Sequence, residues 1–190
     1  MAVVFGLTYV LLAIRESAWC WPAGIVNVLL YAAVFTQARL YGVAGLQLVY
    51  LGFSIYGWHL WRHGGEGRGR LRVSRTPPRW AWGLAAGSAL GTLGLGSFFA
   101  WHTDDALPFL DGGTTAVSLA AQWMTTRKWL ENWLAWIAVD AVSVGMYTSQ
   151  RLYGTAGLYL AFLVMAVLGY REWRASAARQ AAADPQAPRA

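Results

Sequence analysis

Seven long apolar runs follow one another along this 190-residue chain, and no other feature constrains its fold as tightly. They cover Ala2–Ile14, Trp21–Thr36, Tyr41–Trp61, Trp80–Trp101, Pro108–Thr126, Leu130–Gln150 and Leu152–Tyr170. A membrane-spanning helix takes about 20 mostly apolar residues, and fewer where a segment is shielded. Each run therefore reads as a span, the first two being short. The runs are too long for barrel strands, and open β structure would leave backbone groups unpaired in hydrocarbon. The first run starts at the initiator Met without a basic lead, which favours a span over a cleaved signal peptide. Composition agrees: only 13% of residues are charged, against about 25% in a soluble domain. Twelve Trp and nine Tyr suit an interface that satisfies both an apolar ring and its polar N–H or O–H. The single cysteine, Cys20, rules out an intrachain disulfide framework and a cysteine metal cluster.

The net charge of +6 could suggest nucleic acid, so the placement of the charges must decide. With seven spans, Arg15, Arg62, Arg68, Arg70, Arg72, Arg75, Arg79, Arg127, Lys128, Arg171, Arg174, Arg179 and Arg189 fall on one side. Arg39 and Arg151 fall on the other, and these fifteen are all the Lys and Arg of the chain. By the positive-inside rule the C-terminus is cytoplasmic and the N-terminus outside. The stretch His63–Arg79, with its Gly, Arg and paired Pro, reads as a flexible cytoplasmic linker near anionic lipid rather than an RNA-binding segment. The Ala-rich tail Ala175–Ala190 reads as frayed or disordered.

The halves repeat. Between Arg39–Arg62 and Arg151–Arg174, aligned without gaps, twelve of twenty-four positions are identical. Upstream, Glu16 and Trp21 align with Glu131 and Trp136 after a shift of three residues. Spans one to three thus match spans five to seven, with one span between, so both halves share an orientation. The expected fold is an all-α membrane protein in a parallel 3+1+3 arrangement. Its parts are a first repeat over 1–62, a basic linker with linker helix over 63–107, a second repeat over 108–174, and a tail over 175–190. Such a duplication invites a site near the midplane, between the repeats.

Span six has the strongest polar signal. Trp129, Asn132, Trp133, Trp136, Asp140, Ser143 and Tyr147 recur at spacings of three and four, so they share one helical face. A carboxylate midway along a span is costly and marks a pathway or a buried partner. Gln47 and Tyr50 stripe span three, Gln122 belongs to a polar stripe on span five, and span two offers Asn27 and Tyr31. Singly, each of these residues is better read as interhelical glue. As a set, the span-six stripe is not, because glue requires no stacked Trp, Asp and Tyr. Aromatic faces attract flat rings, cationic ones strongly, and amide and carboxylate groups bond hydroxyls. The spans hold no Arg or Lys for a phosphate. The ligand these residues describe is a neutral or cationic aromatic molecule with hydroxyls and no phosphate.

Other classes fit less well. His59 and His63 stand four residues apart with no carboxylate or Cys beside them, and no nucleophile and base pair is evident. A proton pump needs a chain of titratable groups, and only Asp140 is deep. A channel would need a filter or charged ring. A small-molecule facilitator remains, with no cofactor and no metal.

At Trp21–Pro22–Ala23–Gly24, Arg39–Leu40–Tyr41–Gly42 and Gln47 through Trp58, the chain resembles the Pnu family of bacterial vitamin transporters, in its PnuC-type nicotinamide riboside branch. In the second half the resemblance rests on Arg127 through Trp136, on Asp140, and on Gly169–Tyr170–Arg171–Glu172–Trp173. It implies a SWEET-like fold, a homotrimer in the bacterial inner membrane and facilitated diffusion of a vitamin. Uptake would be made one-way by cytoplasmic phosphorylation. Nicotinamide riboside is the expected substrate, with thiamine and riboflavin as the family alternatives and a membrane enzyme as the remote one. The expected substrate contacts are Asn132, Trp133, Trp136, Asp140, Tyr147, Gln122, Gln47, Tyr50, Trp21, Asn27 and Tyr31.

Overall fold

The structure is a computed structural model that describes residues 2–39, 41–65, 67 and 69–183, the side chains of 2 and 41–43 aside. Leu40, Arg68, Arg189 and the rest of the tail over 184–190 lie outside the described residues. Seven α-helices follow in order among them: α1 (Ala2–Ile14), α2 (Cys20–Gln37), α3 (Tyr41–His63), α4 (Pro78–His102), α5 (Pro108–Thr126), α6 (Asn132–Ser149) and α7 (Tyr153–Ala183). Each coincides with one expected span to within three residues, except at the end of α7. By length and composition α2, α4 and α7 can each cross a membrane, and α1 is a shorter apolar helix. The polar stripes make α3, α5 and α6 less apolar.

Two segments that look loose in the sequence are ordered in the structure. The tail is helical as far as Ala183. Alanine is the strongest helix former, Gln180 Nε2 donates to Ser176 Oγ, and Arg179 pairs with Glu172 at 3.2 Å, so the helix propagates. The linker is not free chain either. Leu71 N donates to the Trp61 carbonyl, Leu71 O accepts Lys128 Nζ, Ser74 N donates to Lys128 O, and Val73 is buried. Glu131 Oε2 then accepts both the N–H and the hydroxyl of Thr76, just ahead of the Pro77–Pro78 start of α4. Proline suits that first turn, where an N–H would have no helical partner.

The repeat is closer in geometry than in sequence. Moving α2 forward by 112 residues gives the bounds of α6 (Cys20–Gln37 against Asn132–Ser149). The four described non-glycine residues with positive φ fall into two pairs at the same offset, Glu16 with Lys128 (54° and 58°) and Arg39 with Arg151 (60° and 59°). Residues Trp19 and Glu131, which precede these helices, share φ −67° and ψ −11°. The offset of Arg39–Arg62 therefore continues upstream unbroken, and the three-residue shift is corrected. Trp21 corresponds to Trp133, not Trp136, and Glu16 to Lys128, not Glu131. The Glu-x4-Trp echo misled because only Trp21, Ala23, Ile25 and Thr36 keep their identities across this stretch at the true offset.

The chain forms two compact units. One holds α1, α2, α3, the turn at Thr125–Lys128 and the end of α7 from Arg171. Equivalent residues meet inside it. Lys128 Nζ lies 2.7 Å from Glu16 Oε2, and the rings of Trp61 and Trp173 are 5.6 Å apart. The indole N–H of Trp61 donates to Thr125 O and that of Trp173 to Ala13 O, each at 3.0 Å, at the same offset. Local two-fold symmetry thus runs through an ion pair and a Trp pair. Trp21 is fully buried, edge-on to Tyr9 and Trp61, with its ring against Gly57, where a Cβ would collide with it.

The other unit holds α4, α5, α6 and α7 up to Tyr170. Here Trp133 repeats the Trp21 packing, its ring 2.6 Å from where a Cβ of Gly169 would stand. Helix α4 docks on α5 through small residues. A Cβ on Gly112 would stand 2.6 Å from Gly96 N, and one on Gly91 3.0 Å from the Ala116 methyl. Lipid tails offer no hydrophobic contrast, so such backbone approach supplies the dispersion that holds helices together in a membrane. Gly96 is the only described residue of α4 that is buried, while Trp82, Leu90, Leu93 and Trp101 stand exposed. An apolar helix this bare would be an aggregation site in water and is at home in lipid.

Candidate substrate-binding site

Helix α6 carries the stripe on its inner face. Asn132, Trp133, Val139, Asp140, Ser143 and Met146 are buried, and Trp136 and Tyr147 half-buried. Asn132 opens the helix and donates from Nδ2 to the Trp129 carbonyl at 2.6 Å, closing the preceding turn. Tyr147 stacks on Tyr159 with centroids 5.2 Å apart, and Tyr159 meets Phe162 edge-on. This puts α7 rings behind the lower end of the stripe. Asp140, only 5% exposed, forms no hydrogen bond or ion pair among the described residues. A buried carboxylate without a donor is expensive, and such groups persist where something else uses them. Gln122, on α5, is buried in the same unit.

The remaining expected contacts lie in the first unit, where Asn27, Tyr31, Gln47 and Tyr50 are half-buried. Tyr31 stacks on Phe35 at 5.6 Å, and the Tyr50 carbonyl accepts the Ser54 hydroxyl. Trp21, expected in the lining, is fully buried, and its ring fills the slot left by the missing side chain of Gly57. Trp133 fills the equivalent slot at Gly169. Of the α6 stripe, Trp133 is the member that fills a glycine slot.

The corrected register shows how one-sided the stripe is. The α2 counterparts of Trp136, Asp140 and Tyr147 are Gly24, Val28 and Phe35. Gly24 is glycine for space, since a Cβ there would come within 3.0 Å of the Tyr9 ring. The frame repeats, and the chemistry does not.

Sequence reasoning missed one charged centre. The charge pattern places Lys128 only among the basic residues of one membrane side, and the structure buries it to 5% exposure. It bonds Glu16 and the Leu71 carbonyl and lies 5.0 Å from the Trp61 ring centroid. The signal that could have found it is Glu16 at the equivalent repeat position with opposite charge.

Comparison with known proteins agrees with this architecture. The family model described as nicotinamide mononucleotide transporter matches residues 1–175. The chain is 28% identical to the nicotinamide riboside transporter PnuC of Escherichia coli (strain K12) over 93% of its length and 84% of that protein's. It is 27% identical to the riboflavin/roseoflavin transporter RibM of Streptomyces davaonensis, over 90% of this chain and 81% of that protein. Among solved structures, the crystal structure of the vitamin B3 transporter PnuC superposes with a TM-score of 0.71 at 26% identity. That match covers 94% of this chain and 80% of that chain. The matched proteins are transporters and not enzymes. With a family match along nearly all of its length and a helical frame shared with a solved transporter, the chain belongs to the nicotinamide mononucleotide transporter family of membrane proteins.

Proposed function

We propose that the protein carries nicotinamide riboside across the bacterial inner membrane by facilitated diffusion, with cytoplasmic phosphorylation of the vitamin drawing uptake inward. The observation that carries this reading is Asp140, a buried carboxylate with no donor among the described residues, on the helical face of Trp136 and Tyr147. A cationic ring bearing a ribose supplies what that face lacks: positive charge, hydroxyl donors and a flat surface. The names of the curated PnuC relatives support the same substrate. In this reading Asn132, Asp140, Gln122, Gln47 and Asn27 contact polar groups, and Trp136, Tyr147, Tyr50 and Tyr31 supply ring faces. Trp133 and Trp21 hold the frame. The arrangement is two three-helix repeats over 1–62 and 108–174, joined by 63–107. The C-terminus is cytoplasmic, a reading that the charge distribution supports, and the assembly is a homotrimer.

A second substrate is favoured by one finding, the 27% identity to RibM, close to the 28% to the Escherichia coli PnuC. Riboflavin is also a flat ring with hydroxyls and no phosphate, but it is neutral and gives Asp140 no charge partner. Calorimetry with nicotinamide riboside, riboflavin and thiamine separates the readings. Proteoliposomes containing a riboside kinase and ATP should accumulate label from nicotinamide riboside. Equal accumulation without kinase, driven by a proton gradient, would sink the facilitator mechanism, and tighter binding of riboflavin would reassign the substrate.

A further inference from the structure

A cavity of about 480 Å³ lies within the first unit at the α1–α2 turn and the end of α3, and no α6 residue lines it. Its walls include Glu16, Trp19, Trp58, Arg62, Arg70 and Lys128. Three of these are cations and one is a carboxylate. Glu16 is taken by Lys128 at 2.7 Å, and the ammonium is held in place by the Leu71 carbonyl at 2.9 Å. That leaves Arg62 and Arg70, neither of which has a carboxylate partner among the described residues. Arg62 only rests near the Trp58 ring, at 6.0 Å. Trp19, 70% exposed, presents an open indole face at the rim.

We propose that this cavity binds a phosphate monoester carrying a flat ring, with Arg62 and Arg70 on the phosphate and Trp19 against the ring. A guanidinium presents paired N–H groups in a plane that matches two phosphate oxygens, and two of them match a dianion. The charge left over after the Glu16–Lys128 pair is two positive, which a monoester dianion neutralises and a carboxylate or phosphodiester does not. The volume lies within the range of pockets for small organic ligands, about 300–1,000 Å³. Apart from the indoles and Ala18 the walls are polar, with no Val, Leu, Ile, Met or Phe to receive acyl chains, which favours a free phosphate over a lipid headgroup. This site and the vitamin-carrying face share no residue, so binding here stands or falls apart from transport.

The test uses full-length protein in nanodiscs of zwitterionic lipid, with adenosine monophosphate as the probe in calorimetry. Saturable binding that weakens steeply with salt is expected, and adenosine should bind about tenfold or more weakly. Arg62→Gln and Arg70→Gln should each lower affinity about tenfold without moving the melting temperature, since both side chains are exposed. Trp19→Ala should weaken adenosine monophosphate but leave inorganic phosphate unchanged. Equal affinity for adenosine and its monophosphate, or indifference to both Arg substitutions, would overturn the proposal. So would loss of binding in nanodiscs containing phosphatidylglycerol with Arg70 protected by that lipid, because the headgroup would then be the ligand.

Discussion

Asp140 concentrates the functional argument in one side chain. It is buried, it has no partner among the described residues, and its repeat counterpart is Val28. An uncompensated carboxylate destabilises the fold, and neutralising it removes that penalty. Asp140→Asn should therefore keep or raise the melting temperature while lowering affinity for nicotinamide riboside about tenfold or more, read by calorimetry and thermal unfolding together. A structural residue would show the opposite pattern, with stability falling first. Trp136 and Trp80 make a matched pair of aromatic tests. Trp80 packs against Trp123 and Trp129 near the start of α4, so Trp80→Ala should lower stability with little change in affinity. Trp136→Ala should weaken binding, and equal losses of binding at both would mean a folding effect. Strain is local at Arg151, whose φ of 59° puts a Cβ-bearing residue in the left-handed region. Such a conformation disfavours an L side chain by about 1–2 kcal/mol. Arg151→Gly should offset part of that and raise the midpoint of unfolding slightly.

At the scale of helices, glycine positions divide by what surrounds them. Gly57 and Gly169 are slots for Trp21 and Trp133, and Gly112 is the contact of α5 with Gly96 on α4. Gly45, on α3, has open space where a Cβ would stand. Gly57→Ala should destabilise by about 1–3 kcal/mol, the usual range for overpacking. Gly45→Ala should be neutral or slightly stabilising, since alanine is about 1 kcal/mol the better helix former. Comparable melting temperatures for the two variants would contradict the slot. Helix bounds themselves were legible, because apolar runs ended by Arg, Pro and polar residues leave few alternatives in a membrane. The extension of α7 to Ala183 was not, since nothing in the run Ala175–Ala183 marks where a helix must stop. The pinned linker was hidden for another reason: its anchors, Lys128 and Glu131, lie more than fifty residues away in sequence.

Across the whole molecule, the residues that join equivalent parts of the duplication are those the sequence made look unrelated. Glu16 and Lys128 occupy one repeat position with opposite charges and bind each other, with side chains 19% and 7% exposed. Breaking a buried pair by removing one member destabilises by about 3–5 kcal/mol. Glu16 keeps some contact with water, so Lys128→Met should fall at the low end of that range. Exchanging the two, Glu16→Lys with Lys128→Glu, should recover more than half of the loss, because the symmetry supplies similar backbone at both positions. The Lys128 bond to the Leu71 carbonyl is what the exchange leaves unrestored. A double variant no more stable than Lys128→Met would show that the pair acts through its surroundings and not through its charges.

From the sequence alone came the helical membrane class, the number and order of helices, the duplication and the concentration of polar aromatic character on α6. These are local properties, set by apolar run length, by helical spacing and by identity at a fixed offset, and a membrane sharpens each by forbidding unpaired backbone. The structure alone decided which Trp fill glycine slots, where the repeat register runs upstream of Arg39, and that Lys128 is buried. Those depend on atoms distant in the chain: Gly57 opens space for Trp21, Glu16 waits for Lys128, and Ala13 offers its carbonyl to Trp173. A sequence names such partners, and only the packed chain brings them within reach of each other.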